Sequence, residues 1–147
     1  MDASKKVANP FSVLLGQYAT SLCAHPEAGT ITSSGENPFF LPHNPPIPLP
    51  AFVQRLERYF ACSVEAYVVA AVYLQRLAIV RPGLFHARSV HKIVLAALTI
   101  ATKFTDDVVC KQLHYALCGG IEVPELNNLE DFFLRQLQFT VFVSEAE

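Results

Sequence analysis

The run Ile93-Val94-Leu95-Ala96-Ala97-Leu98-Thr99-Ile100-Ala101-Thr102 decides the fold. It holds ten residues without a charge, bracketed by Lys92 and Lys103. A membrane-spanning helix needs about 20 apolar residues. The run is too short for that and reads as a buried helix. Ser89 in front of it is a suitable N-cap, which sets a helix over Val90–Thr105. Ala96, Ala97 and Ala101 would let a neighbouring backbone approach closely. A second ten-residue run, Ala66–Gln75, lies between Glu65 and Arg76. It belongs to a helix over Val64–Val80, capped by Ser63 and stopped before Pro82-Gly83. That helix is apolar nearly all round, which implies a central position. Val68, Val69, Val72, Ile79 and Val80 would also suit strands, but the run lengths and the spacing of Arg, Gln and Lys favour helix.

Working outward, a helix over Ala51–Phe60 precedes these two, with Phe52, Val53, Leu56, Tyr59 and Phe60 facing inward. A short helix over Val108–Leu117 follows them, capped by Asp106 or Asp107 and stopped by Gly119-Gly120. A last helix begins with Pro124 and runs to about Gln138. Near the N-terminus, Asn9 and Pro10 open a helix ending at Cys23, with Phe11, Leu14, Leu15, Tyr18 and Leu22 as its apolar stripe. Seven prolines fall between Pro26 and Pro50, together with several Gly, Ser and Thr. This stretch cannot be helix or sheet for long, and Pro45-Pro46-Ile47-Pro48 favours polyproline II. The reading is therefore all-α. It has an accessory helix in residues 1–24, a Pro-rich linker in 25–50 and a five-helix domain in 51–147. The turn Arg81-Pro82-Gly83-Leu84 also has the minimal R-x-x-L shape of a degradation signal, and a turn explains it equally well.

Of the 147 residues, 52% are hydrophobic and 16% charged, and the net charge is −2. Mean hydropathy is +0.31. Disorder over most of the chain is excluded, because it needs low hydrophobicity and high net charge. With 11 Lys and Arg against 13 Asp and Glu, a nucleic-acid backbone is not an expected partner. No span suits a membrane, and no secretory signal is expected because Gly16 and Gln17 interrupt the apolar run Phe11–Leu15. Four cysteines without a C-x-x-C pair fit a reducing cytosol or nucleus better than a disulfide framework.

No catalytic signature is present: there is no H-E-x-x-H, G-x-S-x-G or Gly-rich phosphate loop. Cys110, His114 and Cys118 lie four residues apart on one helix face. Across two turns they span about 12 Å at ~1.5 Å per residue, too far to share one ion. No metal and no cofactor is expected. Lys103 and Glu130 stand out instead. Each is a charge beside a large apolar surface, and burying it unpaired is costly. They either face water or pair with each other.

The segments Lys103-Phe104-Thr105-Asp106-Asp107, Tyr115-Ala116-Leu117-Cys118-Gly119-Gly120-Ile121 and Glu125-Leu126-Asn127-Asn128-Leu129-Glu130 carry a resemblance. With Tyr73-Leu74-Gln75-Arg76 and Ser89-Val90-His91-Lys92, they resemble the cyclin box over residues 50–143. They look most like the P/U-type, phosphate-pathway-like cyclins. The resemblance implies a single five-helix cyclin box with its third helix central and an N-terminal accessory helix. It implies a non-catalytic subunit that binds and activates a cyclin-dependent-type Ser/Thr kinase. By the same carry-over, Lys103 and Glu130 form a pair that hydrogen-bonds the kinase, and Ile100, Phe104, Leu134 and Phe139 press against it.

The Arg that such boxes pair with an Asp matches Arg55. Gln75 stands at the Asp position, so the ion pair is absent and only a bond to the Gln75 amide is open. The apolar substrate-docking patch of cell-cycle cyclins is replaced by the largely polar Gln54, Leu56, Glu57 and Arg58. Two rivals remain: a cyclin-fold adaptor for a non-kinase protein, and a helical enzyme using Cys110 and His114. The cyclin reading gives the excess apolar surface a place on the kinase-facing side. Without a kinase the chain is then expected to be poorly soluble or to self-associate.

Overall fold

The computed structural model describes residues 9–33 and 35–144, and among these it contains helices and no strand. The helices are α1 (Pro10–Leu22), α2 (Leu49–Phe60), α3 (Val64–Val80), α4 (Val90–Thr105), α5 (Gln112–Gly119) and α6 (Val123–Gln136). None is long and apolar enough to cross a membrane.

The run that opened the sequence reading forms the hub. Every residue from Ile93 to Thr102 is buried, and α4 packs against all five other helices. Each fully buried Leu or Ile there contributes roughly 1.5–3 kcal/mol. α5 comes close to α4 because Gly119 has no side chain; a Cβ there would lie 2.3 Å from Leu95 Cδ2. Gly120, with φ 73°, then ends the helix in the left-handed conformation that glycine tolerates. α3 has the expected bounds, and Ser63 caps it by accepting from Ala66 N at 3.3 Å. It is less central than expected: Val64, Val68, Ile79 and Val80 are exposed.

Several local expectations are corrected. α1 is capped as expected, Asn9 Oδ1 accepting from Phe11 N at 2.8 Å. It buries Ser12, Leu15, Gly16 and Ala19, while Phe11 and Leu14 are exposed. Its buried face is made mainly of small residues, and Gly16 faces Val53, where even a Cβ would make only an ordinary van der Waals contact, at 3.5 Å from Val53 Cγ2. Tyr59 of α2 is exposed rather than inward. Ser89 is the N-cap residue of α4 as expected, but its side chain makes no capping bond. Its hydroxyl donates to Leu84 O at 2.5 Å and accepts from His86 N, tying down the turn before the helix. Asp106 does not open α5. It ends α4 and accepts from the backbone N and the hydroxyl of Ser63. α5 consequently starts at Gln112, leaving Val108, Val109 and Cys110 in the loop. Leu84 of the R-x-x-L sequence is fully buried in a 3-10 turn, Pro82–Leu84.

The Pro-rich segment places Phe39 wholly inside the core. Its ring meets Phe132 and Phe133 edge-on, at centroid distances of 5.5 and 6.2 Å. Buried Asn37 donates to Ile31 O at 2.9 Å and Leu84 O at 3.0 Å. Leu41 N donates to Arg88 O, and Arg88 Nε donates back to Leu41 O. At the other terminus, Tyr73 Oη donates to Val141 O at 2.7 Å. Arg76 donates to the carbonyls of Thr140 and Phe142, holding the last described residues along α3.

Candidate partner-docking site

Lys103 is in the last turn of α4, where a cation complements the helix dipole. Glu130 is mid-way along α6, and the packing of α4 on α6 brings the two together. Lys103 Nζ lies 2.9 Å from Glu130 Oε1 and 3.1 Å from Oε2. The Glu130 side chain is 11% exposed and that of Lys103 37%, so the carboxylate is recessed and the ammonium caps it toward solvent. A third side chain closes the network. Gln112, the first residue of α5, accepts from Lys103 Nζ through Oε1 and donates through Nε2 to Glu130 Oε2. The same Nε2 donates to Asn127 Oδ1 at 2.9 Å. Below, Lys103 Nζ lies 6.0 Å from the centroid of the Tyr115 ring, within cation–π range. Tyr115 is itself fixed, its hydroxyl accepting from Cys110 N at 2.9 Å.

The four apolar residues expected around this pair differ in what they offer. Phe104 is 49% and Phe139 57% exposed, Leu134 is half-buried, and Ile100 at 6% belongs to the core. Phe139 sits just past α6 with φ 59°, after Gln138 with φ 53°. Two successive left-handed non-glycine residues are costly, on the order of 1–3 kcal/mol each. Phe139 N donates to Leu134 O at 2.8 Å, which fixes the turn that carries its ring outward. Arg55 and Gln75 are not brought together. Arg55 Nε donates to Cys118 O at 3.1 Å, at the end of α5, and Gln75 is exposed on α3.

Among the described residues no group of three potential ligands could hold a metal ion. His114 Nε2 lies 2.6 Å from Tyr59 O and 3.7 Å from Cys118 Sγ. Burial pushes the Cys62 and Cys118 thiols up and that of Cys23 to about 11, away from the thiolate that nucleophilic chemistry needs.

The family model of the cyclins matches residues 5–141, a range that contains α1 to α6. The chain belongs to the cyclin family. It is 36% identical to Cyclin-U4-1 of Arabidopsis thaliana over 101 residues, covering 68% of this chain and 50% of that protein. It is 35% identical to Cyclin-P4-1 of Oryza sativa subsp. japonica over 103 residues, covering 69% and 49%. It is 37% identical to Cyclin-U1-1 of Arabidopsis thaliana over 101 residues, covering 68% and 48%. This cyclin is thus of the P/U type, and it spans about half the length of the curated relatives it matches. The six α-helices of the described residues are consistent with a five-helix cyclin box preceded by one more helix.

Gln112 and Asn127 are the members of the network that sequence reasoning missed. Asn127 stands in the family-like Glu125-Leu126-Asn127 segment, one turn before Glu130, which was the available signal. Gln112 carried none, because its partners are 9 to 18 residues away on other helices.

Proposed function

We propose that this cyclin is a non-catalytic regulatory subunit. It binds and activates a cyclin-dependent-type Ser/Thr protein kinase, in cell-cycle or nutrient/phosphate signalling within the cytoplasm or nucleus. One observation carries the reading: a closed ionic network on the α4–α6 face, next to Phe104 with its exposed ring. Oriented polar groups beside apolar anchors are the makings of an interface hot spot. Phe104, Leu134 and Phe139 supply the apolar contact, and the nearly buried Ile100 adds the little surface it exposes. Lys103 and Glu130 offer directional bonds to the kinase backbone. The activating step is a population shift. Contacts that only the active kinase can make press its C-helix inward, so that the C-helix Glu pairs with the ATP-site Lys. Phosphoryl transfer belongs to the kinase.

The test uses the purified chain against a panel of recombinant cyclin-dependent kinases, with histone H1 as phosphate acceptor. A kinase should bind and be stimulated. Lys103→Ala and Glu130→Ala should each raise Kd about tenfold or more, while circular dichroism still reports a folded helical protein. Wild-type binding and stimulation by both variants would sink the site assignment. Binding without stimulation would point to an adaptor role.

A further inference from the structure

The Lys103–Glu130 pair alone does not explain how the docking groups are held. Lys103 has a flexible four-carbon stem and a half-exposed ammonium, which left to itself would sample several rotamers. Among the described residues, Gln112 is the neutral side chain that hydrogen-bonds both charges. Its amide has a single acceptable orientation. With Oε1 on the ammonium and Nε2 on the carboxylate and Asn127 Oδ1, every contact joins donor to acceptor. Turned over, it would set NH2 against ammonium and carbonyl against carboxylate.

We propose that Gln112 is the positioning residue of the kinase-docking site, its amide locking the Lys103 ammonium and the Glu130 carboxylate into the geometry that a partner backbone reads. The proposal rests on the kinase-docking reading and deepens it. One N–H of Lys103 serves the forked contact to the two Glu130 oxygens and a second serves Gln112. The third N–H and a lone pair of Glu130 Oε1 then remain for a partner's carbonyl and amide. The amide is itself firmly placed, since Gln112 opens α5 and Gly119 seats that helix on Leu95. Network geometry is thereby tied to the seating of α5 on the hub. Preorganisation of this kind raises affinity by removing an ordering cost on binding.

Two variants separate the roles. Gln112→Met keeps length and loses both bonds. Gln112→Glu keeps the acceptor for Lys103 and turns the donor into an acceptor facing Glu130. With the tightest-binding kinase of the panel, Gln112→Met should raise Kd about tenfold, and Gln112→Glu should raise it at least as far. Maximal phosphotransfer at saturating cyclin should stay at the wild-type level. In a Lys103→Ala background, Gln112→Met should add less than a twofold effect, because it acts through Lys103. Wild-type Kd in both variants, or a full tenfold effect repeated without Lys103, would overturn the proposal. A partner-free readout keeps the two claims apart. In the free chain, the 15N signal of the Lys103 amine should shift and broaden in Gln112→Met. An unchanged signal defeats the positioning role even if Lys103→Ala proves essential for docking. A changed signal with no loss of kinase binding in Lys103→Ala leaves the positioning intact and defeats the docking site instead.

Discussion

Both ends of α4 carry a Lys–Glu pair to α6, Lys92–Glu125 and Lys103–Glu130, but their other polar residues are used differently. At the N-terminal end, Ser89 and His91 are buried and bonded to backbone carbonyls of the chain itself: Ser89 to Leu84 O, and His91 through Nε2 alone to Ile47 O at 2.7 Å. At the C-terminal end, Lys103 is held by side chains from α5 and α6, next to the exposed Phe104. Bonds to one's own backbone fasten a loop and leave nothing for a partner. Bonds among side chains at the surface leave donors and acceptors that can be shared. The closed end should therefore answer to changes in stability, and the open end to changes in binding.

The hardest blow to the closed end is Phe39→Ala. It empties an edge-on aromatic site beneath the Pro-rich segment, where the cost is about 3–5 kcal/mol. For a chain of this size, that lowers the melting temperature by on the order of 10 °C. Differential scanning calorimetry measures it directly. Kinase affinity of the still-folded fraction should not change. A Phe39→Ala protein that melts as wild type would mean the segment is a dispensable strap, and the contrast between the two ends would fail.

His91 offers a milder and reversible probe. Burial pushes its imidazole down from 6.5, more than the bond to Ile47 O raises it. Nδ1 has no hydrogen-bond partner and the Phe52 ring lies 5.2 Å away, so a second proton would be buried without an acceptor. The folded state thus binds its proton less readily than the unfolded chain. The resulting stability is complete above pH 6.5 and is lost as pH falls from 6.5 toward the folded-state value, at about 1.4 kcal/mol per unit of difference. Urea midpoints between pH 8 and pH 5 should fall more steeply for the wild type than for His91→Gln. Parallel curves would show that this end of the helix does not titrate.

Much of this was legible in the chain, and what was hidden was hidden for physical reasons. α3 and α4 were readable to the residue because long apolar runs end at charges, caps and prolines. The face of α1 was not. Of the stripe Phe11, Leu14, Leu15, Tyr18 and Leu22, Leu15 is buried, but the rest of the buried face is Ser12, Gly16 and Ala19, small residues that hydrophobic spacing does not mark. α5 starts four residues later than expected because Asp106 is committed to Ser63, a contact 43 residues away. Phe39 was hidden by its proline-rich surroundings, which argue against helix and say nothing against burial. The Lys103–Glu130 pair could be anticipated from two isolated charges and from the cyclin-like motifs. Its amide bridge could not, because Gln112 meets its partners only through the fold. The apolar excess is also spread more widely than one docking face. Phe104 and Phe139 are exposed, but so are Leu113 and Leu117 on α5 and Ile79 on α3.

The smallest expected effect sharpens the comparison most, because it involves the residue beside Glu130. Asp131 Oδ2 accepts from Arg135 Nε at 2.8 Å, one turn along α6, with side chains 52% and 65% exposed. This pair resembles Lys103–Glu130 in length and in charge, but solvent screens it and no third side chain closes it. Asp131→Asn should leave both the melting temperature and the kinase Kd within error of wild type. Glu130→Gln, one residue away, should weaken the complex. Equal losses from both would mean that any negative charge on α6 steers the kinase, and that recession beneath Lys103 is irrelevant. A loss confined to Glu130→Gln would mean that the partner reads a fixed geometry, since the two carboxylates differ in burial and bracing and not in charge.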